Sequence, residues 1–152
     1  MDANYSLFAI PVYWFLSMAP HVYAVTTIKK ANNNKWNNAN PRSSDFDANL
    51  QKTVPKEIYT RYERAEAAHH NMIENTSLFI GAVIVGNMAG LDPRTLNISA
   101  GTYLGLRLTY ILLYINTTRQ KSSYVRSLNW FLSVAILMGI YVKAGNKLMY
   151  LS

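Results

Sequence analysis

The stretch "RAEAAHHNMIENTSLFIGAVIVGN", Arg64 to Asn87, changes character half-way along. Its second half is apolar enough to enter a membrane. Its first half carries Arg64, Glu66, His69, His70, Asn71 and Glu74 straight into that apolar run. Ionisable groups at membrane depth are expensive and persist where they line a site or a buried contact. The first expectation is therefore a membrane protein with a polar site.

Working outward, three further apolar segments flank this one. Residues 7–25, "LFAIPVYWFLSMAPHVYAV", carry no formal charge. Residues 96–117 contain Arg107, and residues 128–150 open on "LNWFLSVAILMGIYV". A spanning helix needs about 20 mostly apolar residues. A soluble bundle would show a polar face on each helix, which the first segment and "LFIGAVIVGNMAGL" lack. With the opening stretch placed on a helix over 58–90, the chain reads as an all-α integral membrane protein. It is one domain over 1–152, a bundle of four transmembrane helices. That second helix, some 32 residues, would be about 48 Å long against a bilayer core of about 30 Å, so its polar half should emerge.

The connector over 26–55 is polar, with an asparagine-rich run between Asn32 and Asn40, and predicts a flexible loop. "AGLDPRT" predicts a tight turn. Lys29, Lys30, Lys35, Arg42, Lys52 and Lys56 lie in loop one, and Arg119, Lys121 and Arg126 in loop three. The positive-inside rule puts both loops on the cytoplasmic side. The first span shows no basic region before it and is expected to stay as an anchor.

Topology thus accounts for most of the net charge of +7, and the nucleic-acid reading falls away. The chain has no cysteine, which excludes disulfides, thiolate metal sites and a cysteine nucleophile. Adjacent His69 and His70 point apart on a helix and make a poor metal site, so no metal is expected. His21 reads as a satisfied core histidine, and His69 and His70 as side chains free to snorkel.

Helical geometry gathers the polar residues into stripes. From Asn71, Arg64 lies about 20° one way and Glu74 about 60° the other. His70 sits at the edge of that face. On the third span Tyr103, Arg107, Tyr110 and Tyr114 fall within about 60° of one another. A deep arginine requires a carboxylate or a polar pocket, and Glu74 is nearest in depth. Their pairing could be structural or could serve a ligand. Together the stripes describe a concave site open to the cytoplasm, suited to a small zwitterionic, peptide-like ligand.

The combination "RAEAAHHNMIENTSLFIGAVIVGNMAGL", then "RLTYILLY", then "RSLNW", resembles the MAPEG family, membrane-associated proteins of eicosanoid and glutathione metabolism, especially its small fungal microsomal glutathione-transferase-like members. Arg64, Ala65, Ala68, Asn71, Glu74, Asn75 and Phe79 match the family's second-helix pattern. The resemblance implies a homotrimer in the endoplasmic reticulum, with glutathione bound between subunits. It implies that Arg64, His70, Asn71, Glu74, Arg107, Tyr110, Tyr114 and Ser127 surround glutathione, and that Arg126 and Tyr114 act on the thiol. Arg119 or Lys121 stand as alternatives to Arg126. Ser127 is expected to cap the fourth helix, whose positive end beside Arg126 would favour a thiolate. The departures are Ala67, where some members carry arginine, and the absence of basic matches near Thr26 and Thr27. The implied activity is transfer of glutathione to lipophilic electrophiles, or peroxide reduction, with membrane lipid as surroundings. A biosynthetic isomerase or cyclase and a non-catalytic lipid-binding scaffold remain open beside it.

Overall fold

The computed structural model describes residues 3–150, without the side chains of residues 121 and 122. Lys121, one of the sequence candidates, therefore lies outside the described side chains. A short 3-10 turn, Ser6–Phe8, leads into α1 (Ala9–Ala31). Then follow α2 (Ser44–Thr53), α3 (Lys56–Glu74), α4 (Thr76–Met88), α5 (Pro93–Asn116) and α6 (Gln120–Met149).

Among the described residues three segments are long and apolar enough to cross a membrane: Ser6–Ala31, Pro93–Asn116 and Ser123–Met149. The expected helix over 58–90 is instead divided at Asn75. The local chemistry explains the division. Asn75 Nδ2 donates to the Asn71 carbonyl at 2.8 Å, and Thr76 Oγ1 donates to the Met72 carbonyl at 3.2 Å. Tyr13 on α1 also donates its hydroxyl to Met72 O, at 2.6 Å. Side chains that bond nearby carbonyls compete with the helical ladder. Here they do so where the sequence turns from polar to apolar. α4 alone is a 13-residue helix, too short by itself to span.

Residues 26–55 are likewise not a featureless loop. α1 continues to Ala31, and α2 begins where Ser43 Oγ accepts from the Phe46 amide at 3.3 Å. Leu50, Val54, Ile28 and Tyr59 form a small second core, with Trp36 and Phe46 packed against it. Trp36 and Phe46 meet edge to face at 5.4 Å.

The main core joins α1, α4 and α5 through three rings. Phe79 stacks on Tyr103 at 4.6 Å, and Tyr13 lies 5.0 Å from Phe79 and 5.6 Å from Tyr103. Lipid is as apolar as these side chains, so close packing and hydrogen bonds hold this core rather than expulsion of water.

The α4–α5 turn is tight, as expected. Gly90 takes φ +62°, and Leu91 N bonds back to Gly86 O at 3.0 Å. Asp92 caps α5 by accepting from Thr95 N at 3.0 Å, with Pro93 at its first position. Lys147 of α6 donates to the Gly90 carbonyl.

α5 and α6 form an antiparallel hairpin around residues 117–119, so loop three is much shorter than the sequence reading has it. Residues equidistant from Thr118 lie level with one another. Leu96 and Ile140 are such a pair, and both close on Gly86: a Cβ there would lie 2.7 Å from Leu96 Cδ2 and 3.1 Å from Ile140 Cγ2. At the end of the bundle where α4 meets α5, Asn4 Nδ2 donates to Asn87 Oδ1 at 2.7 Å. There Asn97 also accepts from Tyr5 N at 2.7 Å and donates to Ala3 O at 2.8 Å.

Candidate functional site

At the opposite end, Asn71 from α3, Tyr110 and Tyr114 from α5, and Arg126, Ser127 and Trp130 from α6 line a cavity of about 210 Å³. The hairpin geometry sets this up. Tyr110 and Arg126 are equidistant from Thr118 and therefore level. The Arg126 guanidinium lies 4.0 Å from the centroid of the Tyr114 ring, and Tyr114 meets Tyr110 edge to face at 5.5 Å. A guanidinium held on an aromatic face is preorganised while its N–H groups stay available.

Behind the wall sits Arg107, fully buried. Its Nη1 donates to Asn71 Oδ1 at 3.1 Å and its Nε to Tyr103 OH at 3.1 Å. Its charge also faces the rings of Tyr103 at 5.2 Å and Tyr110 at 5.4 Å. The expected partner Glu74 is not engaged. Glu74 is exposed, and the ion pairs among the described residues are His21–Glu66 and Arg61–Glu57. Asn71, one turn earlier on the same stripe, takes the place of the carboxylate, while Glu74 closes α3 with its side chain exposed.

Several sequence assignments change. Arg64 does not reach the cavity; its Nε donates to Ile115 O at 2.9 Å, satisfying a carbonyl at the C-terminal end of α5. Ser127 does not cap a helix. α6 begins at Gln120, and Ser127 Oγ donates to Ser123 O at 3.3 Å within it. Arg126 is therefore inside the helix, not before its positive end, and the helix-terminus argument for thiolate stabilisation falls; the stacked cation remains. His70 is exposed and does not line the cavity. Arg119 precedes α6 and lines a different groove with Thr109, Leu112 and Asn116. Of the two basic positions described in full, the geometry brings Arg126 to the tyrosines and not Arg119.

His69 is buried, not snorkelling. Its Nδ1 bonds Ser17 O at 2.8 Å, and its ring lies 5.1 Å from that of His21. His21 is satisfied, though by a carboxylate and not in the core as expected: its Nδ1 lies 2.7 Å from Glu66 Oε1, and its side chain is 39% exposed. The described residues hold no cluster of three or more metal-ligating side chains. Sequence reasoning missed Asn129, which is buried on α6 with Ser133, Leu137, Ile140 and Ala144. That spacing of threes and fours was the available signal.

The site is a small polar recess at one end of an apolar bundle. It offers an amide, two phenols, a hydroxyl and a guanidinium. A family model for MAPEG proteins matches residues 7–146, nearly the whole chain. The chain belongs to the MAPEG family. With its three apolar helices, this MAPEG chain is an integral membrane protein. It is 25% identical over 91 residues to human microsomal glutathione S-transferase 1. That match covers 60% of this chain and 57% of the human protein. No solved structure matches the chain significantly.

Proposed function

We propose that this MAPEG protein is a glutathione-dependent transferase or peroxidase for lipophilic substrates. The observation that carries the reading is the Arg126 guanidinium seated on Tyr114 within the Asn71–Tyr110 recess. Glutathione offers carboxylates, amides and a thiol. The Asn71 amide and the tyrosine hydroxyls suit its backbone, and Arg126 suits a thiolate. The thiolate would attack an electrophilic carbon, forming the C–S bond as the leaving group departs with the electron pair. Membrane surroundings would concentrate an apolar co-substrate beside it.

Size supports assembly. Small-molecule sites usually hold roughly 300–1,000 Å³, and this recess holds about 210 Å³. We read it as part of a site completed by a second subunit of a homotrimer, with exposed Glu74 contributing across the interface. α3 and α4 together would supply the fourth span. The endoplasmic reticulum, with loops one and three cytoplasmic, is the proposed location.

Titrating purified protein with glutathione, while following the ultraviolet thiolate band, tests the function. Binding with a growing thiolate band is the expected result. Binding without thiolate points to the isomerase or cyclase reading, and no binding to the scaffold.

A further inference from the structure

Two buried side-chain atoms have no hydrogen-bond partner among the described residues: Nη2 of Arg107 and Oδ1 of Asn129. Arg107 is fully buried and Asn129 is 8% exposed. The first atom can only donate and the second can only accept.

Their positions match as well as their chemistry. Arg107 and Asn129 are equidistant from Thr118, the relation that makes Leu96 and Ile140 meet at Gly86. Among the described residues α6 packs closely on α5 and α4, and faces α3 across the recess, where Asn71 lies opposite Arg126, Ser127 and Trp130. α4 begins only at Thr76, beyond the level of Asn71 that Arg107 holds. At its own depth, then, Asn129 is buried against α5. It heads the buried stripe of α6, so its face is the one turned to the bundle.

A buried donor left alone costs roughly 1–3 kcal/mol and more when charged, and the same holds for a lone acceptor. A single water between them would accept from Arg107 and donate to Asn129, offsetting both costs. Buried waters occupy such polar gaps between otherwise unsatisfied groups. Nη1 and Nε of Arg107 already bond Asn71 and Tyr103, so a hold on Nη2 as well would fix the guanidinium plane.

We propose that Asn129 is a positioning residue for the recess: through one buried water its amide oxygen holds Arg107, and Arg107 holds Asn71 at the cavity wall. The ligand-binding part of this rests on the proposed function; the link between Asn129 and Arg107 does not.

Thermal unfolding of the full protein in mild detergent tests the link by a reversal of sign. Asn129→Asp places a carboxylate against the guanidinium and should raise the unfolding midpoint. In an Arg107→Met background the same carboxylate is buried alone and should lower it. Asn129→Asp lowering the midpoint in both backgrounds would overturn the link. If Arg107→Met fails to fold, the wild-type background decides: a rise supports the link and a fall overturns it. Asn129→Leu should weaken glutathione binding by about tenfold or more, the worth of one charge-assisted hydrogen bond. Asn129→Asp should retain binding. Equal affinity in wild type and Asn129→Leu would overturn the positioning role. Should wild type bind no glutathione, the proposed function fails and the midpoint reversal alone judges the Arg107–Asn129 link.

Discussion

A guanidinium stacked on a phenol ring has two separable contributions, its charge and its plane. Arg126 has both at 4.0 Å from Tyr114. A nearby cation lowers a thiol pKa, so removing it raises the pKa and moves the thiolate-dependent rate to higher pH. Arg126→Ala should therefore shift the rising limb of the pH–rate profile upward, each pKa unit corresponding to about 1.4 kcal/mol. Arg126→Lys keeps the charge and loses the stacked plane, and should recover part of the shift. Superimposable profiles for the three proteins, measured with an aryl halide, would remove Arg126 from the chemistry. Asn71 is open to a simpler test. Asn71→Ala deprives buried Arg107 of an acceptor, which should cost about 1.5–3 kcal/mol in thermal or denaturant unfolding. At this scale the two stripes were legible, because helical spacing alone gathers Arg64, Asn71 and Glu74 on one and Tyr103, Arg107, Tyr110 and Tyr114 on the other. The meeting of Arg107 with Asn71 and the placements of Glu74, Arg64 and Ser127 were not. They depend on an interrupted helix, on where α5 ends and on where α6 begins, and terminal residues are where sequence patterns say least.

Helices carry their own tests through glycine. At Gly86 a methyl group would press on Leu96 and Ile140, while at Gly101 nothing lies within 4 Å of it. Gly86→Ala should destabilise by about 1–3 kcal/mol through overpacking. Gly101→Ala should leave the packing of an isolated subunit intact and raise its stability by up to about 1 kcal/mol through helix propensity. Equal midpoints for the two variants would mean that α4, α5 and α6 are not packed this closely. The tight turn before α5 was readable from Gly90, Asp92 and Pro93. α2 was not, although Phe46, Leu50 and Val54 recur every fourth residue, because the asparagine run beside them masks the period. The break at Asn75 also left a trace, in the short polar side chains of "ENTS", which compete for backbone partners.

For the whole molecule, charge and exposed surface make two predictions. Lysine and arginine concentrate in loops one and three, so in sealed microsomes protease should cut within 32–43 without detergent. Cleavage only after detergent would reverse the orientation. The proposal that a second subunit completes the recess expects trimers in native mass spectrometry in mild detergent. Monomers alone would refute the assembly. Membrane class and the apolar α1, α5 and α6 were legible in composition and length. The level pairing of α5 with α6 was not, because it rests on a connection that looks in sequence like a long loop and is nearly all helix.

The knot of amides that ties Ala3, Asn4 and Tyr5 to Asn87 and Asn97 has a consequence for biosynthesis. The two sides of this knot are separated by 83 to 94 positions. A chain emerging from the ribosome thus makes the start of α1 long before the residues that secure it exist. Until α5 has been translated, the entry to α1 stays unlatched at the membrane surface with its amides hydrated. The bundle can then be sealed at that end only after more than half of the polypeptide has been delivered. A ribosome stalled before Asn97 would leave that end of the bundle open.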